Sequence, residues 1–167
     1  VKCWGAYGYT ATGIGEDLLY PVDVAVLGNN IVDIALGDWH GCALTTAGKV
    51  RCWGANNYGQ LGDGENDFQW YPVEVKDLSQ VTSIAANSYR TCAVQQNGGV
   101  KCWGWNLNGE LGDGTEVSRN RPVAVNGLAS GVRKVVMGGY HSCAIMQSSA
   151  LKCWGGNWRS QLGIGNI

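Results

Sequence analysis

The chain has 167 residues, and its 12 basic and 13 acidic side chains nearly cancel. A balanced charge offers no basic surface for nucleic acid, and no apolar run approaches the ~20 residues that a membrane-spanning helix needs. The 26 glycines and eight tryptophans suit tight turns between short, aromatic-bearing strands. The composition therefore predicts a β-rich protein that neither binds nucleic acid nor spans a membrane.

One triplet, Cys-Trp-Gly, recurs along the whole chain at intervals of roughly fifty residues. Its copies begin at Cys3, Cys52, Cys102 and Cys153. The three prolines, Pro21, Pro72 and Pro122, keep the same period. A repeat of this length predicts stacked supersecondary units that bury their apolar faces against one another. We interpret the tryptophans of the triplets as residues of this packing.

In chain order, the repeats divide residues 1–167 into one continuous array: a partial unit at 1–20, repeats at 21–70 and 71–120, and a last repeat at 121–167 that is incomplete at its end. Within the repeat that starts at Pro21, we predict strands at 21–26, 31–36, 40–45 and 49–54, followed by a glycine-rich connection over 55–64. Four short antiparallel strands per unit are typical of a β-propeller blade. The predicted fold is all-β, with about three blades plus partial flanking units.

Six of the seven cysteines form pairs that flank a hairpin turn near residue 47, 97 or 148. The turn sets the two members of each pair opposite each other, which predicts the disulfides Cys42–Cys52, Cys92–Cys102 and Cys143–Cys153. Buried reduced cysteines and a zinc site are the alternatives. Disulfides favour an extracellular, cell-surface or periplasmic location. The partner of Cys3 is expected outside this chain.

The repeated motifs resemble a known family. They are His-X-Cys-Ala-Leu, Gly-X-Val-X-Cys-Trp-Gly, Asn-X-X-Gly-Gln-Leu-Gly-Asp-Gly and Pro-Val, and they are similar to the regulator of chromosome condensation repeat, whose members form seven-bladed propellers. The copy at 52–64 is the best; Glu110 replaces glutamine in the next, and the segments 6–12 and 163–165 are degenerate. The paired cysteines resemble those of secreted bacterial members. Seven blades need about 350 residues, so the chain is predicted to be part of a longer propeller, with a ring of several chains as the alternative.

Two groups of residues are candidates for a binding face. At three equivalent positions an aromatic residue precedes a basic one, and a closed propeller would arrange these pairs as a ring on one face: Trp39 and His40, Tyr89 and Arg90, Tyr140 and His141. The second group contains aromatic residues that break the repeat: Phe68, Trp70, Trp105 and Trp158. Aromatic and arginine side chains dominate many interfaces, whereas the alternative is that the same residues pack blade against blade.

The remaining sequence patterns argue against a calcium site and against catalysis. Asp63, Glu65, Asn66 and Asp67 carry oxygens that calcium prefers, but their spacing is not that of an EF-hand and a turn explains them. No catalytic motif is present, so we expect neither an enzyme nor a cofactor.

The sequence predicts a non-enzymatic extracellular or cell-surface module that serves in interaction or as a scaffold. Its expected partner is a protein or a surface glycan. The alternatives are a subunit of a surface fibre or coat that assembles through open blade edges, and an inhibitor of a secreted enzyme.

Overall fold

The computed structural model describes residues 1–5 and 17–165; the degenerate copy at 6–12 lies outside the described residues. The described chain consists of strands and turns with one short 3-10 helix, Ala25–Leu27. The strands are β1 Lys2–Gly5, β2 Leu18–Asp23, β3 Ile31–Leu36, β4 His40–Thr45, β5 Val50–Gly54, β6 Gln69–Glu74, β7 Val81–Asn87, β8 Arg90–Gln95, β9 Val100–Gly104, β10 Arg119–Ala124, β11 Val132–Met137, β12 His141–Met146 and β13 Leu151–Gly155. Nowhere in this part of the chain is there a helix with the length and apolarity to cross a membrane.

The strands form antiparallel sheets that follow one another along the chain. The first blade has the order β3-β4-β5-β6, the second blade β7-β8-β9-β10, and the third blade β11-β12-β13, while β1 and β2 form a pair before them. The strands β3, β7 and β11 contact one another in succession and form the inner edge of the array. The prediction of an all-β propeller fold with about three four-stranded blades is confirmed.

The prediction that each proline strand belongs to the sheet of its own repeat is wrong. The strand that carries Pro72, β6, pairs with β5 of the preceding triplet, where Val73 lies opposite Cys52. The same holds for Pro122 in β10, which pairs with β9. Proline lacks the amide hydrogen that a central strand must donate, so it is tolerated at the outer edge of a blade. Each four-stranded blade therefore combines three strands of one sequence repeat with the proline strand of the next.

The three predicted disulfides are present and lie where the hairpins were expected. Each pair joins the second and third strands of a blade, with its two cysteines directly opposite. Cys3 has no disulfide partner among the described residues.

The glycine of each triplet has a positive φ, between 99° and 120°, a backbone conformation that residues with a side chain rarely adopt. This explains why the triplet ends in glycine: the strand leaves the ladder at that residue.

The apolar core lies between blades. At the first junction, between the first and second blades, Leu44 and Leu61 of one blade pack with Ile84 and Trp103 of the other. The second junction, between the second and third blades, contains Leu111 and Val135 in the equivalent places. Trp53 and Trp103 are fully buried and Trp154 packs partly buried against the core, which confirms their interpretation as packing residues, whereas Trp4 is 62% exposed.

Candidate interaction face

All candidate aromatic residues lie at one end of the blades. In an antiparallel sheet, the turn from the first to the second strand and the connection that leaves the third strand emerge at the same end. The turns at 37–39, 88–89 and 138–140 therefore lie beside the connections at 55–68, 105–118 and 156–165. We call the aromatic residues at this end the aromatic face: Trp39, Tyr58, Phe68, Trp70, Tyr89, Trp105, Tyr140 and Trp158.

The rings of the aromatic face form three groups. Around the first junction, the Tyr58 ring contacts Trp105 at 4.5 Å and Tyr89 at 5.1 Å between centroids, in edge-to-face arrangements. Tyr140 contacts Trp158 at 5.1 Å, and Phe68 contacts Trp70 at 4.5 Å. The structure thus brings members of both predicted groups together on one surface.

Several of these rings remain accessible while they are held by their neighbours. Trp39 is 43% exposed, Trp70 44%, Trp158 47% and Tyr140 53%, so about half of each side chain faces solvent. Aromatic rings that are supported on one side and open on the other lose little conformational entropy when they bind. This arrangement suits a contact surface.

The basic members of the predicted ring are not on the surface, which corrects the expectation for His40 and Arg90. His40 is 2% exposed and lies at the first junction, where its Nε2 is 2.9 Å from Oγ1 of Thr91 in the second blade. Burial lowers the pKa of His40 to about 4, so the ring is neutral at physiological pH. The side chain links two blades, which was the alternative interpretation.

Arg90 occupies the equivalent place at the second junction. Its Nη2 donates to the carbonyls of Gly138 at 2.7 Å and Gly139 at 3.0 Å in the third blade. Its Nη1 lies 3.9 Å from Oε1 of Glu110, and both side chains are buried. Burial lowers the pKa of Arg90, while the carboxylate of Glu110 acts in the opposite direction. His141, the third member, is only partly buried.

Two positions of the repeat change together. Where the first and third repeats have histidine at the start of the second strand, they have glutamine in the connection, at Gln60 and Gln161. The second repeat has Arg90 and Glu110 instead. Because a buried charge needs a counter-charge, the departure of Glu110 from the motif is explained by Arg90.

The glycine-rich connection is an ordered element of each junction. Asn56 Oδ1 accepts the backbone N–H of Leu61, and Asn106 Oδ1 accepts that of Leu111, so the motif asparagine shapes the turn. The turn presents a backbone carbonyl to the next blade: Trp103 Nε1 donates to Gln60 O at 2.9 Å, and Trp154 Nε1 donates to Glu110 O at 2.9 Å.

The candidate calcium ligands belong to the same connection. Asp63 Oδ1 accepts from Asn56 Nδ2 and from the backbone N–H of Glu65, and Asn66 Oδ1 accepts from Asn120 Nδ2. These hydrogen bonds give the acidic segment a role in loop structure. Among residues 1–5 and 17–165, no three His, Cys, Asp or Glu side chains are grouped as metal ligands.

A pocket of about 220 Å³ opens on the aromatic face between the first, second and third blades. Its lining combines aromatic walls with one acid and one base: Asp38, Tyr58, Ser88, Tyr89, Arg90, Trp105, Gly139 and Tyr140. Tyr58 was missed in the sequence because it lies inside the glycine-rich motif. Aromatic residues that do not recur in every unit were the signal for Trp105, and the same signal applies to Tyr58, which is matched by Tyr9 but replaced by Asn108 and Arg159 in the later repeats.

Comparison with known proteins identifies the family. Residues 31–60, 81–110 and 132–161 match one profile of the regulator of chromosome condensation (RCC1) repeat, and residues 47–94 and 97–145 match another. The chain belongs to this family. Its paired cysteines and four-stranded blades occur within the matched segments.

Similar sequences come from proteins of diverse function. The chain is 40% identical over 74 residues to the ultraviolet-B receptor UVR8 of Arabidopsis thaliana, which covers 44% of the chain and 17% of that protein. It is 34% identical over 82 residues to the probable E3 ubiquitin-protein ligase HERC4 of Homo sapiens, covering 47% of the chain and 8% of the ligase. The chain thus spans less than a fifth of these relatives. Their names describe a receptor and a ligase, so the repeat alone does not fix an activity.

Solved structures support the same fold. Yeast RCC1 (Prp20), crystallised with Kap60 bound, has a TM-score of 0.84 at 21% identity, covering 99% of the chain and 42% of that protein. Human WBSCR16 has a TM-score of 0.74 at 25% identity, covering 85% of the chain and 37% of that structure.

Proposed function

We propose that the chain is a non-catalytic interaction module that docks a partner protein on its aromatic face. The observation that carries this proposal is the concentration of half-exposed rings at one end of the blades, at Trp39, Trp70, Tyr140 and Trp158. Tryptophan and tyrosine are the residue types most enriched at binding hot spots. The cores of the two junctions do not include these rings, since Trp103, Trp154 and the leucines of the connection loops already fill them.

The polar residues of the junctions support the same proposal. His40, Arg90 and Glu110 are buried and hold adjacent blades together, so the loops that carry the aromatic residues project from a rigid frame. A rigid frame lowers the entropy that binding costs. A partner protein therefore meets a preformed surface.

The proposed location is an oxidising compartment: extracellular, cell-surface or periplasmic. Its support is the set of three disulfides, which reducing compartments do not favour. Peptide mapping without reductant, on protein isolated from its native source, tests this directly. Free thiols at all six positions would contradict the proposed location. They would also exclude a partner that is found only in an oxidising compartment. The fibre or coat role and the inhibition of a secreted enzyme stay predictions.

Alanine substitution tests the docking face once a partner has been captured and identified. We expect Trp39→Ala, Tyr140→Ala and Trp158→Ala each to weaken the titrated complex, by about 2 kcal/mol or roughly 30-fold at the centre of the interface, with no loss of fold. Leu151→Ala is the matched control, because this residue is exposed and follows the turn at the opposite end of the blade. Full binding by all three aromatic variants would refute the proposed face.

A further inference from the structure

The pocket on the aromatic face is specific to its place in the array. Three of its lining residues differ from their equivalents in the other described repeats: Tyr58 corresponds to Asn108 and Arg159, Trp105 to Ala55 and Gly156, and Arg90 to His40 and His141. A lining that only closed the junction would be expected to recur with the repeat. This site therefore asks for an explanation beyond packing.

Two of the residues that line the pocket carry buried side-chain donors with no acceptor in the described part of the chain. Arg90 is 1% exposed, yet its Nε and Nη1 have no hydrogen-bond partner within the described chain, although Nη2 has two. Trp105 Nε1 is likewise buried without a partner among those residues. A buried N–H that lacks an acceptor is costly, and a ligand oxygen would remove that cost.

The charges of the pocket disfavour an anionic ligand. Glu110 lies 3.9 Å from Arg90 Nη1 and balances the guanidinium. Asp38 adds a carboxylate at the exposed rim of the pocket, and a carboxylate only accepts hydrogen bonds. An anionic ligand would meet the carboxylate of Asp38, while the charge of Arg90 is already balanced by Glu110 behind the lining. The pocket thus suits a molecule that is uncharged, accepts from Arg90 and Trp105, and donates to Asp38.

We propose that this pocket binds one neutral sugar ring. The hydroxyls of a pyranose both accept and donate hydrogen bonds, as Arg90, Trp105 and Asp38 require, and its C–H faces suit the electron-rich faces of Tyr58, Tyr89 and Trp105. The volume of about 220 Å³ is below the range of roughly 300–1,000 Å³ that drug-sized ligands occupy, so it fits a single ring. This inference does not depend on the proposed docking of a protein.

The test is titration of the whole chain with methyl glycosides, followed by ligand-observed saturation-transfer NMR. The probes are the methyl glycosides of glucose, galactose, mannose and N-acetylglucosamine, with methyl glucuronoside as the anionic control. We expect at least one neutral glycoside to bind with a dissociation constant on the order of 1 mM, and the glucuronoside to bind at least about tenfold more weakly. Absence of binding by all neutral glycosides, or preference for the glucuronoside, would overturn the proposal.

Variants copied from the other repeats locate the binding. We expect Trp105→Ala, Tyr58→Asn and the double variant R90H/E110Q each to weaken binding at least about tenfold. Trp4→Ala is the matched control, since this tryptophan is exposed in β1, outside the aromatic face, and should leave binding unchanged. Near-ultraviolet circular dichroism verifies the fold; should the double variant unfold, Trp105→Ala and Tyr58→Asn decide the question.

One competing occupant is tested in the same experiment. Acetyl-glutamine methylamide, a neutral amide, also accepts and donates hydrogen bonds. If this amide saturates the original chain, fails to bind the Trp105→Ala variant, and no glycoside binds, the site takes a protein side chain and the sugar proposal is wrong. Retention of glycoside binding in Trp105→Ala would likewise place the sugar elsewhere.

Discussion

The two junctions between blades differ in the charge of the side chain that begins the second strand. At the first junction, neutral His40 reaches Thr91 of the next blade; at the second, charged Arg90 reaches the carbonyls of Gly138 and Gly139. The connection of the first blade places the amide of Gln60 where that of the second blade places the fully buried carboxylate of Glu110, 3.9 Å from Arg90. The comparison teaches that the same fold accepts either a neutral histidine or a charged arginine at this position, provided that the arginine is accompanied by a carboxylate.

The largest effect should come from the tryptophans that the two junctions share. Trp103 at the first junction is fully buried, whereas Trp154 at the second is only partly so. We expect Trp103→Ala to lower the free energy of unfolding by about 4 kcal/mol and Trp154→Ala by about half as much, because a smaller apolar area is lost. Urea denaturation measures both. Equal losses would mean that burial does not distinguish the junctions.

Removing one charge at the second junction should cost slightly less. Glu110→Gln leaves Arg90 buried without its carboxylate, and we expect a loss of about 3 kcal/mol in the free energy of unfolding. The double variant R90H/E110Q installs the pair found in the other repeats and should recover most of that loss. A double-mutant cycle measures the coupling.

The control for this prediction is the exposed ion pair of Lys49 and Glu74, at 2.6 Å. Glu74→Gln should change the free energy of unfolding by less than about 1 kcal/mol, because solvent screens the pair. Additive effects of the Arg90 and Glu110 substitutions would show that the two positions change independently and would remove the explanation for Glu110.

Acid should weaken the first junction more than the second. The pKa of His40 falls from 6.5 to about 4 on folding, so between these values the unfolded chain binds a proton that the folded chain does not. Stability is therefore complete above pH 6.5 and is lost as the pH falls towards 4, by about 2 kcal/mol near pH 5. Chemical denaturation at several pH values measures the slope.

The other histidine of the chain provides the matched control. His141 is only partly buried, so His141→Asn should keep the pH slope, while His40→Asn should flatten it. A slope that survives in His40→Asn would assign the acid sensitivity to other groups and would remove the pH contrast between the junctions.

Part of the aromatic face was predictable because its signal is local. Trp39, Tyr89 and Tyr140 occupy a turn whose place is set by the hairpins, and Trp105 and Trp158 stand out because they break the repeat. The burial of His40 and Arg90 was not predictable in this way. Their partners, Thr91 and Gly138, lie in the next blade, about fifty residues along the chain.

The sequence by itself determined the repeat, the hairpins and the three disulfides. These depend on short-range features: cysteines placed symmetrically about a turn, and glycine where the backbone needs a positive φ. Only the tertiary structure decided which sheet receives the proline strands and which polar residues are buried. Strand pairing and burial depend on what the neighbouring blade offers in acceptors and packing surface, and that information is spread over two repeats rather than contained in one.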